Sequence, residues 1–528
     1  MAYSLIIGDS RQLAIANLGT QTQINLSMST PGQQQSQSTS FSTGKWLSEP
    51  KLFQLEQGFV LEINTSRNSH YILIQDNSIS TIKSPAGLNN YPQIDLTAIP
   101  DSNSATMPPT ASYCDPACAV FLPGETEPIS VWRDAEQWQK ERQRQFPGSE
   151  PFWHLLNRLF EASWRFQGRD PVLPPRSVWD IWQLISAVRP DTLITVPFTL
   201  MTVADALKLY GLADNKRLTT FLDLQLKLYS QVGTDETALL YAATALAVSQ
   251  APQGLFHLES SMQVLSDRLV TGLEKYGGKL LMRHTVKQIH TKSGKVTGVT
   301  VQNQKGETWT ESADEVVANV TAQDLVRLTN DLTLKNYQRR VEKLPQPSGA
   351  FVIYLGVKRE AIPKDCSPHL QFLYNQDEVI GENNSLFVSV SKPGDGRAPD
   401  GQATLIASSF TNTDLWWKDG NYEQIKQQYT DEAIARLNLY FDLCPENIIY
   451  TEAATPRTFA KFTARDKGIV GGLGQRIKTF GPFGFANRTP VKHLWLVGDS
   501  THPGEGTAGV SYSALTVARQ IEAGLKPL

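Results

Sequence analysis

The amino-acid sequence predicts an α/β chain of several domains, and three stretches predict it. Residues 491–523, VKHLWLVGDSTHPGEGTAGVSYSALTVARQIEA, have the pattern of a strand, a glycine-rich turn and a helix. Residues 261–320 have that of a helix, an antiparallel meander and a return strand, and residues 348–440 that of a sheet with a covering helix.

Composition sets the outer bounds. At 528 residues, 40% hydrophobic and 19% charged, the chain is long enough for two or three domains with a large core. A net charge of -3 with no basic stripe excludes nucleic acid as a general partner, and the one charge-dense run, residues 136–144, fits a solvated helix face. Cys114, Cys118, Cys366 and Cys444 are too sparse for a disulfide framework, which favours a reducing compartment, and Cys114-x-x-x-Cys118 offers too few ligands for zinc. No basic segment, apolar run and cleavage site open the sequence, so a secretory signal is not expected. The longest apolar run, residues 238–248, falls short of the roughly 20 needed to cross a bilayer, so membrane contact is expected from one side only.

In chain order, residues 1–112 form an atypical β-rich module. Residues 58–64 and 70–75 are β-rich runs around a hairpin turn at 65–69, whereas the Gln/Ser/Thr tract at 21–44 has too little apolar surface for a core and is expected to be a linker or loop. Residues 113–255 contain a mostly helical stretch at 150–250. Trp153, Leu156, Leu159 and Phe160, then Leu222, Leu226 and Tyr229, recur at helical spacing, as a packed core or as the apolar wall of a tunnel.

In residues 256–340, Met262, Leu265, Leu269 and Leu273 mark one helix face, which Gly277-Gly278 ends. Strands follow at 279–283, 286–291 and 296–302, with turns at 292–295 and 305–306 and a return strand at 314–320. Residues 341–460 supply strands at 348–354, 372–374, 385–391 and 403–409, and a helix at 422–440 with Ile425, Tyr429, Ala433, Leu437 and Tyr440 on one face. Trp416-Trp417 is expected to be a partly buried pair rather than a membrane-interface anchor.

Residues 461–528 hold the chemistry. The strand at 493–497 ends in Gly498-Asp499-Ser500, where ligands of open α/β sheets bind. Gly504, Gly506 and Gly509 let backbone approach a ligand closely, and the helix from about Val510 points free N–H groups and a positive dipole end at it, which makes an anion site. Residues 455–472 lead back to this region, with Arg457 and Lys461 as candidate polar contacts.

The order GDSTHPGEGTAGVSYSAL resembles the C-terminal flavin-binding motif of the phytoene desaturase and carotenoid isomerase family, and within it most resembles the cyanobacterial carotenoid C-3′,4′ desaturases. CDPACAVFLPGE, Trp132-Arg133-Asp134 and RQFPGSEPFW extend the likeness from about residue 113 to the C-terminus. The resemblance implies an α/β (α+β) FAD/NAD(P)-binding Rossmann-like flavoprotein fold with a mixed sheet-plus-helix substrate domain. It implies FAD, with Asp499 near the ribityl-pyrophosphate and the helix beginning near Gly509-Val510 facing the N1/C2=O edge of the isoalloxazine. Val286 would pack on the adenine, and Asn319, at the end of the return strand, would stand beside the cofactor with Gly498 and Gly506. Such folds ordinarily begin with a strand, Gly-x-Gly-x-x-Gly and a helix. Here residues 5–11 read LIIGDSR, with neither the second and third glycines nor a long helix after them.

The implied activity is desaturation of a carotenoid, with hydride passing to flavin. The implied setting is the cytoplasmic side of a membrane, peripherally bound. His502 and Glu505, in the turn next to the expected flavin, are the candidate bases. Carotenoid cis–trans isomerisation on the same fold, and an FAD-deficient carotenoid-binding relative, stand as alternatives. The electron acceptor is left open.

Overall fold

A computed structural model describes residues 2–525, apart from 8–10, 19–20, 31–32, 42, 56–57, 66–67, 76–77, 86, 100–110, 260, 330, 332–333 and 419. Gly8–Ser10 of the opening run, and Ser66 and Arg67 of the expected hairpin turn, therefore lie outside the described residues. The chain divides into two compact units, Met1–Ala111 and Ser112–Leu528.

In the first unit, the opening strand Ala2–Ile7 pairs antiparallel with Arg11–Leu18 and with Thr97–Ile99. The tract expected as a linker is instead two strands, Gln21–Thr30 and Gln33–Phe41, continuing the same sheet in antiparallel register. Alternation decides this: Thr22 and Ile24, two residues apart, both turn inward. Thr22 Oγ1 lies 2.6 Å from Thr43 Oγ1 and accepts from Trp46 Nε1 at 2.8 Å, so a polar residue holds the strand where hydrophobicity alone would not. A second five-stranded sheet includes the hairpin Gly58–Asn64 and Ser69–Gln75. Leu13, Ile15 and Ile24 of the first sheet share one core with Leu52, Leu61 and Ile72 of the second.

The second unit is organised by a seven-stranded mixed sheet, in the order Ile129–Val131, Cys118–Phe121, His369–Leu373, Ser385–Val390, Gln402–Asn412, Ser348–Lys358 and Ile448–Ala454. The helix Tyr422–Leu437 covers it, with Ala433 and Leu437 packed in one core with Phe351 and Ile353. Trp416 is fully buried and stacks on Phe351, whereas Trp417 is half-exposed and donates Nε1–H to the Lys467 carbonyl at 3.0 Å. On the other side, the helices Glu150–Gln167, Lys216–Ser230 and Leu239–Ala247 bury Leu156, Leu159, Leu222 and Leu226 in a single interdigitated core. Of the two readings of that apolar face, packing is the one realised.

The remaining segments make a smaller layer. The antiparallel strands Thr285–Lys292, Lys295–Gln302 and Thr308–Ser312 form one sheet, the third lying beyond the Lys305-Gly306 turn where the sequence predicted none. Residues 279–283, expected to be a strand, are irregular: they find no pairing partner, and Arg283 adopts a left-handed φ of 61°. The return strand is Val316–Ala318, parallel to Leu494–Leu496 with Ala318 opposite Leu496. The helix Gln263–Lys275 forms as expected, but none of its residues is buried, and Leu269 and Leu273 face solvent.

Candidate functional site

The parallel pair Val316–Ala318 and Leu494–Leu496 aims two chain ends at one point. Past one strand stands Asn319; past the other, Gly498 turns with φ 106°. A Cβ at Gly498 would lie 2.5 Å from Asn319 Oδ1, so only glycine allows this approach. Ser513, buried on the helix Thr507–Leu525, ties the turn together. Its Oγ accepts from the Gly498 amide at 3.1 Å and from Asn487 Nδ2 at 3.0 Å, and lies 2.7 Å from Thr501 Oγ1.

Asp499 is buried beside this junction. Its Oδ2 accepts from Arg465 Nη2 at 2.7 Å, and Arg465 also donates to the Gly471 carbonyl at 2.8 Å. Oδ1 has no partner, leaving a buried acceptor aimed at whatever hydroxyl or amide comes alongside. Arg457 and Lys461 do not reach this place. Arg457 donates to the Trp416 carbonyl and stacks on Tyr422, and Lys461 lies over Phe462. The cation at the site is Arg465, four residues beyond Lys461, at the end of the helix Pro456–Thr463 where the left-handed Ala464 turns the chain inward.

The turn at 498–506 carries both candidate bases. Glu505 keeps its carboxyl inside: Oε2 accepts from Gln231 Nε2 at 3.0 Å, and Oε1 is buried without a partner. Burial, reinforced by the Asp499 charge and only partly offset by the Gln231 hydrogen bond, pushes this carboxyl up to about 8. His502 sits between the rings of Phe480 and Tyr512, its Nε2 against Gln167 and its Nδ1 buried without a partner. Burial alone pulls it down to about 4. At neutral pH the pair is therefore a protonated acid, the reverse of an ordinary carboxylate, and an imidazole held neutral well below neutrality. Gln167 decides the tautomer. If its amide N–H donates to Nε2, Nδ1 carries the ring proton; if its carbonyl accepts from Nε2, Nδ1 is the free base.

The helix Thr507–Leu525 begins at the surface. Val510 N–H is spent on the Gly506 carbonyl at 3.0 Å, so the donors without an intrahelical acceptor are those of Thr507, Ala508 and Gly509, one turn earlier than Val510. Gly506 and the two residues after it are exposed, and a Cβ at Gly506 would meet nothing within 4 Å. A Cβ at Gly509 would strike the Gly504 carbonyl at 2.5 Å, so glycine is what lets the turn close on the helix.

An unpartnered acceptor at Asp499, a protonated carboxyl with one unpartnered oxygen at Glu505, an open glycine and three free N–H groups at a positive helix end suit a flavin's ribityl hydroxyls and the anionic edge of its reduced ring. A shallow cleft lined by Asp499–Pro503 with Phe480 borders the turn, and a second is lined by Gln231, Gly472 and Arg476 among others. Val286 stays outside this cluster, 40% exposed on the strand Thr285–Lys292. The sequence does not single out Arg465, Gln231 and Gln167, since each reaches the site from another segment; Ser513 lies within the motif at 498–515, but its role in tying the turn shows only in the fold.

Residues 203–522 match the family model described as flavin containing amine oxidoreductase. Prolycopene isomerase 2, chloroplastic, of an Oncidium hybrid cultivar is 25% identical over 421 residues, which cover 78% of this chain and 70% of that protein. The 4,4′-diapophytoene desaturase (4,4′-diapolycopene-forming) of Methylomonas sp is 22% identical over 411 residues, or 74% of this chain and 76% of that one. Among solved structures, cyclohexylamine oxidase from Brevibacterium oxydans IH-35A superposes with a TM-score of 0.47 at 14% identity, covering 79% of this chain and 82% of that one.

Proposed function

We infer that this chain, which belongs to the flavin containing amine oxidoreductase family and is an FAD-dependent oxidoreductase, acts on a carotenoid, desaturating the C-3′,4′ bond at the cytoplasmic surface of a membrane. The observation that carries the reading is the turn at 498–509, which brings together the unpartnered carboxyl oxygens of Asp499 and Glu505 and free helix N–H groups. Relatives named for carotenoid desaturation and for prolycopene isomerisation support the substrate class.

When bound, FAD supplies a two-electron acceptor for the hydride that leaves the polyene. The chain supplies the rest. Thr507, Ala508 and Gly509 would present amides to an anionic flavin edge, and Asp499, held by Arg465, would accept from a flavin hydroxyl. His502, neutral at pH 7, is fitted to take a proton at Nδ1 when Gln167 accepts from its Nε2–H; Glu505, protonated at neutral pH, is the group fitted to give one. Desaturation calls on the first role. The isomerase relatives keep a second reading open, double-bond rearrangement without net oxidation, in which a proton donor is equally useful.

The test is the visible spectrum of the purified protein before and after FAD and desalting, followed by a count of conjugated double bonds in a carotenoid incubated with it. Retained flavin with a longer chromophore supports desaturation. Retained flavin with unchanged bond count and altered geometry moves the assignment to isomerisation. A protein that retains no flavin yet carries carotenoid removes the enzymatic reading.

A further inference from the structure

The helix Val178–Ala187 is inside out. Its acidic residue, Asp180, is fully buried: the carboxylate accepts from Arg488 Nε at 3.1 Å, from Gln520 Nε2 at 2.9 Å and from the Arg176 amide at 3.0 Å. On the other face, Val178, Ile181, Trp182 and Ile185 recur at i, i+3, i+4 and i+7, and all are exposed, Val178 by 85% and Trp182 by 64%. A helix bordering water has this polarity reversed. The apolar surface runs on past Pro190, where Leu193 and Val196 are also exposed.

The charges around it are one-sided. Residues 176–200 contain two arginines and two aspartates. The aspartates are both engaged, Asp180 as described and Asp191 with Arg165 and Arg169, while Arg176 and Arg189 stand exposed at the two ends of the helix. Every residue of the stripe is apolar, so apart from the Trp182 indole N–H it offers no directional hydrogen bonding for a protein partner to read. A lipid interface needs none. It asks for an apolar stripe, an aromatic at headgroup depth and flanking cations.

We propose that this face docks on an anionic lipid bilayer, with the helix Val178–Ala187 lying in the interface plane, Trp182 and its apolar neighbours in the acyl boundary and Arg176 and Arg189 on lipid phosphates. Among the described residues no helix is long and apolar enough to cross a membrane; the proposed attachment engages one leaflet. The proposal deepens the membrane setting inferred above and rests on that reading, but its test measures lipid binding and needs no turnover.

The full chain is floated with vesicles of phosphatidylcholine and phosphatidylglycerol, and with phosphatidylcholine alone. Trp182→Glu and Ile185→Glu are each expected to lower the bound fraction about tenfold or more on both, and Arg176→Gln with Arg189→Gln to weaken binding severalfold on the anionic vesicles only. These side chains are exposed, so circular dichroism and thermal midpoint should stay at the parent values, and Leu269→Glu, exposed on another helix, should bind like the parent. Flotation unchanged in Trp182→Glu overturns the proposal. So does a parent that ignores vesicles but forms a dimer that Trp182→Glu dissolves, because a second copy then covers the face. Carotenoid conversion in detergent by a parent that does not float would sink this proposal and leave the function standing; flotation without conversion would do the reverse.

Discussion

Glu505 makes stability depend on pH in an unusual direction. Its carboxyl is held protonated to about 8 in the folded chain, against 4.5 when unfolded. Below 4.5 both states carry the proton and there is no penalty; from 4.5 up to about 8 the unfolded state ionises while the folded one stays neutral. Each pH unit in that window costs about 1.4 kcal/mol, so at pH 7 the folded state gives up roughly 3 kcal/mol and the loss levels off above about 8. Glu505→Gln keeps the side chain's volume, stays neutral at every pH and retains an acceptor for Gln231. The expected result is a variant more stable than the parent by roughly 3 kcal/mol at pH 7 and by under about 1 kcal/mol at pH 5. His502 works the other way, losing stability as pH falls from 6.5 toward about 4, but it is common to both proteins and cancels in the difference. Urea unfolding followed by tryptophan fluorescence across this range measures it. Parallel stability curves for the two proteins would refute the burial argument, since the carboxyl would then be ionised in the folded state.

The same turn yields three further expectations. Gly509→Ala places a methyl 2.5 Å from the Gly504 carbonyl and should weaken FAD retention about tenfold or more, read from the ~450 nm band that survives desalting. Arg465→Met strands the Asp499 carboxylate in its buried position; a loss of about 3 kcal/mol in urea unfolding is expected, and a loss under about 1 kcal/mol would show that water reaches that carboxylate. Ser513→Ala removes the acceptor shared by the Gly498 amide and Asn487, and should cost about 1–3 kcal/mol in the same measurement while loosening FAD.

Much of this molecule was legible along the chain because its signals are local. Periodicity placed the helices Glu150–Gln167 and Tyr422–Leu437 and four strands of the seven-stranded sheet, Ser348–Lys358, His369–Leu373, Ser385–Val390 and Gln402–Asn412, but not the short strands Ile129–Val131 and Cys118–Phe121 or Ile448–Ala454; the strand end, glycine turn and helix around Gly498-Asp499 were also readable, since they are written in consecutive residues. Absence was legible too: no Gly-x-Gly-x-x-Gly follows the opening strand, and the structure continues it as an antiparallel sheet. Local signals also misled. Gln21–Thr30 and Gln33–Phe41 are strands despite their polarity, because a two-residue repeat and a hydrogen-bonded Thr22 suffice once a neighbouring sheet is present. The helix Gln263–Lys275 has an apolar stripe that nothing buries, and Val178–Ala187 turns its stripe outward because Arg488 and Gln520, more than 300 residues away, claim Asp180 for the interior. The pKa ordering of His502 and Glu505 likewise belongs to the tertiary structure. Residue type supplies the titratable group, but desolvation and the partners that impose or relieve it come from segments such as Gln167 and Gln231 that only folding brings alongside.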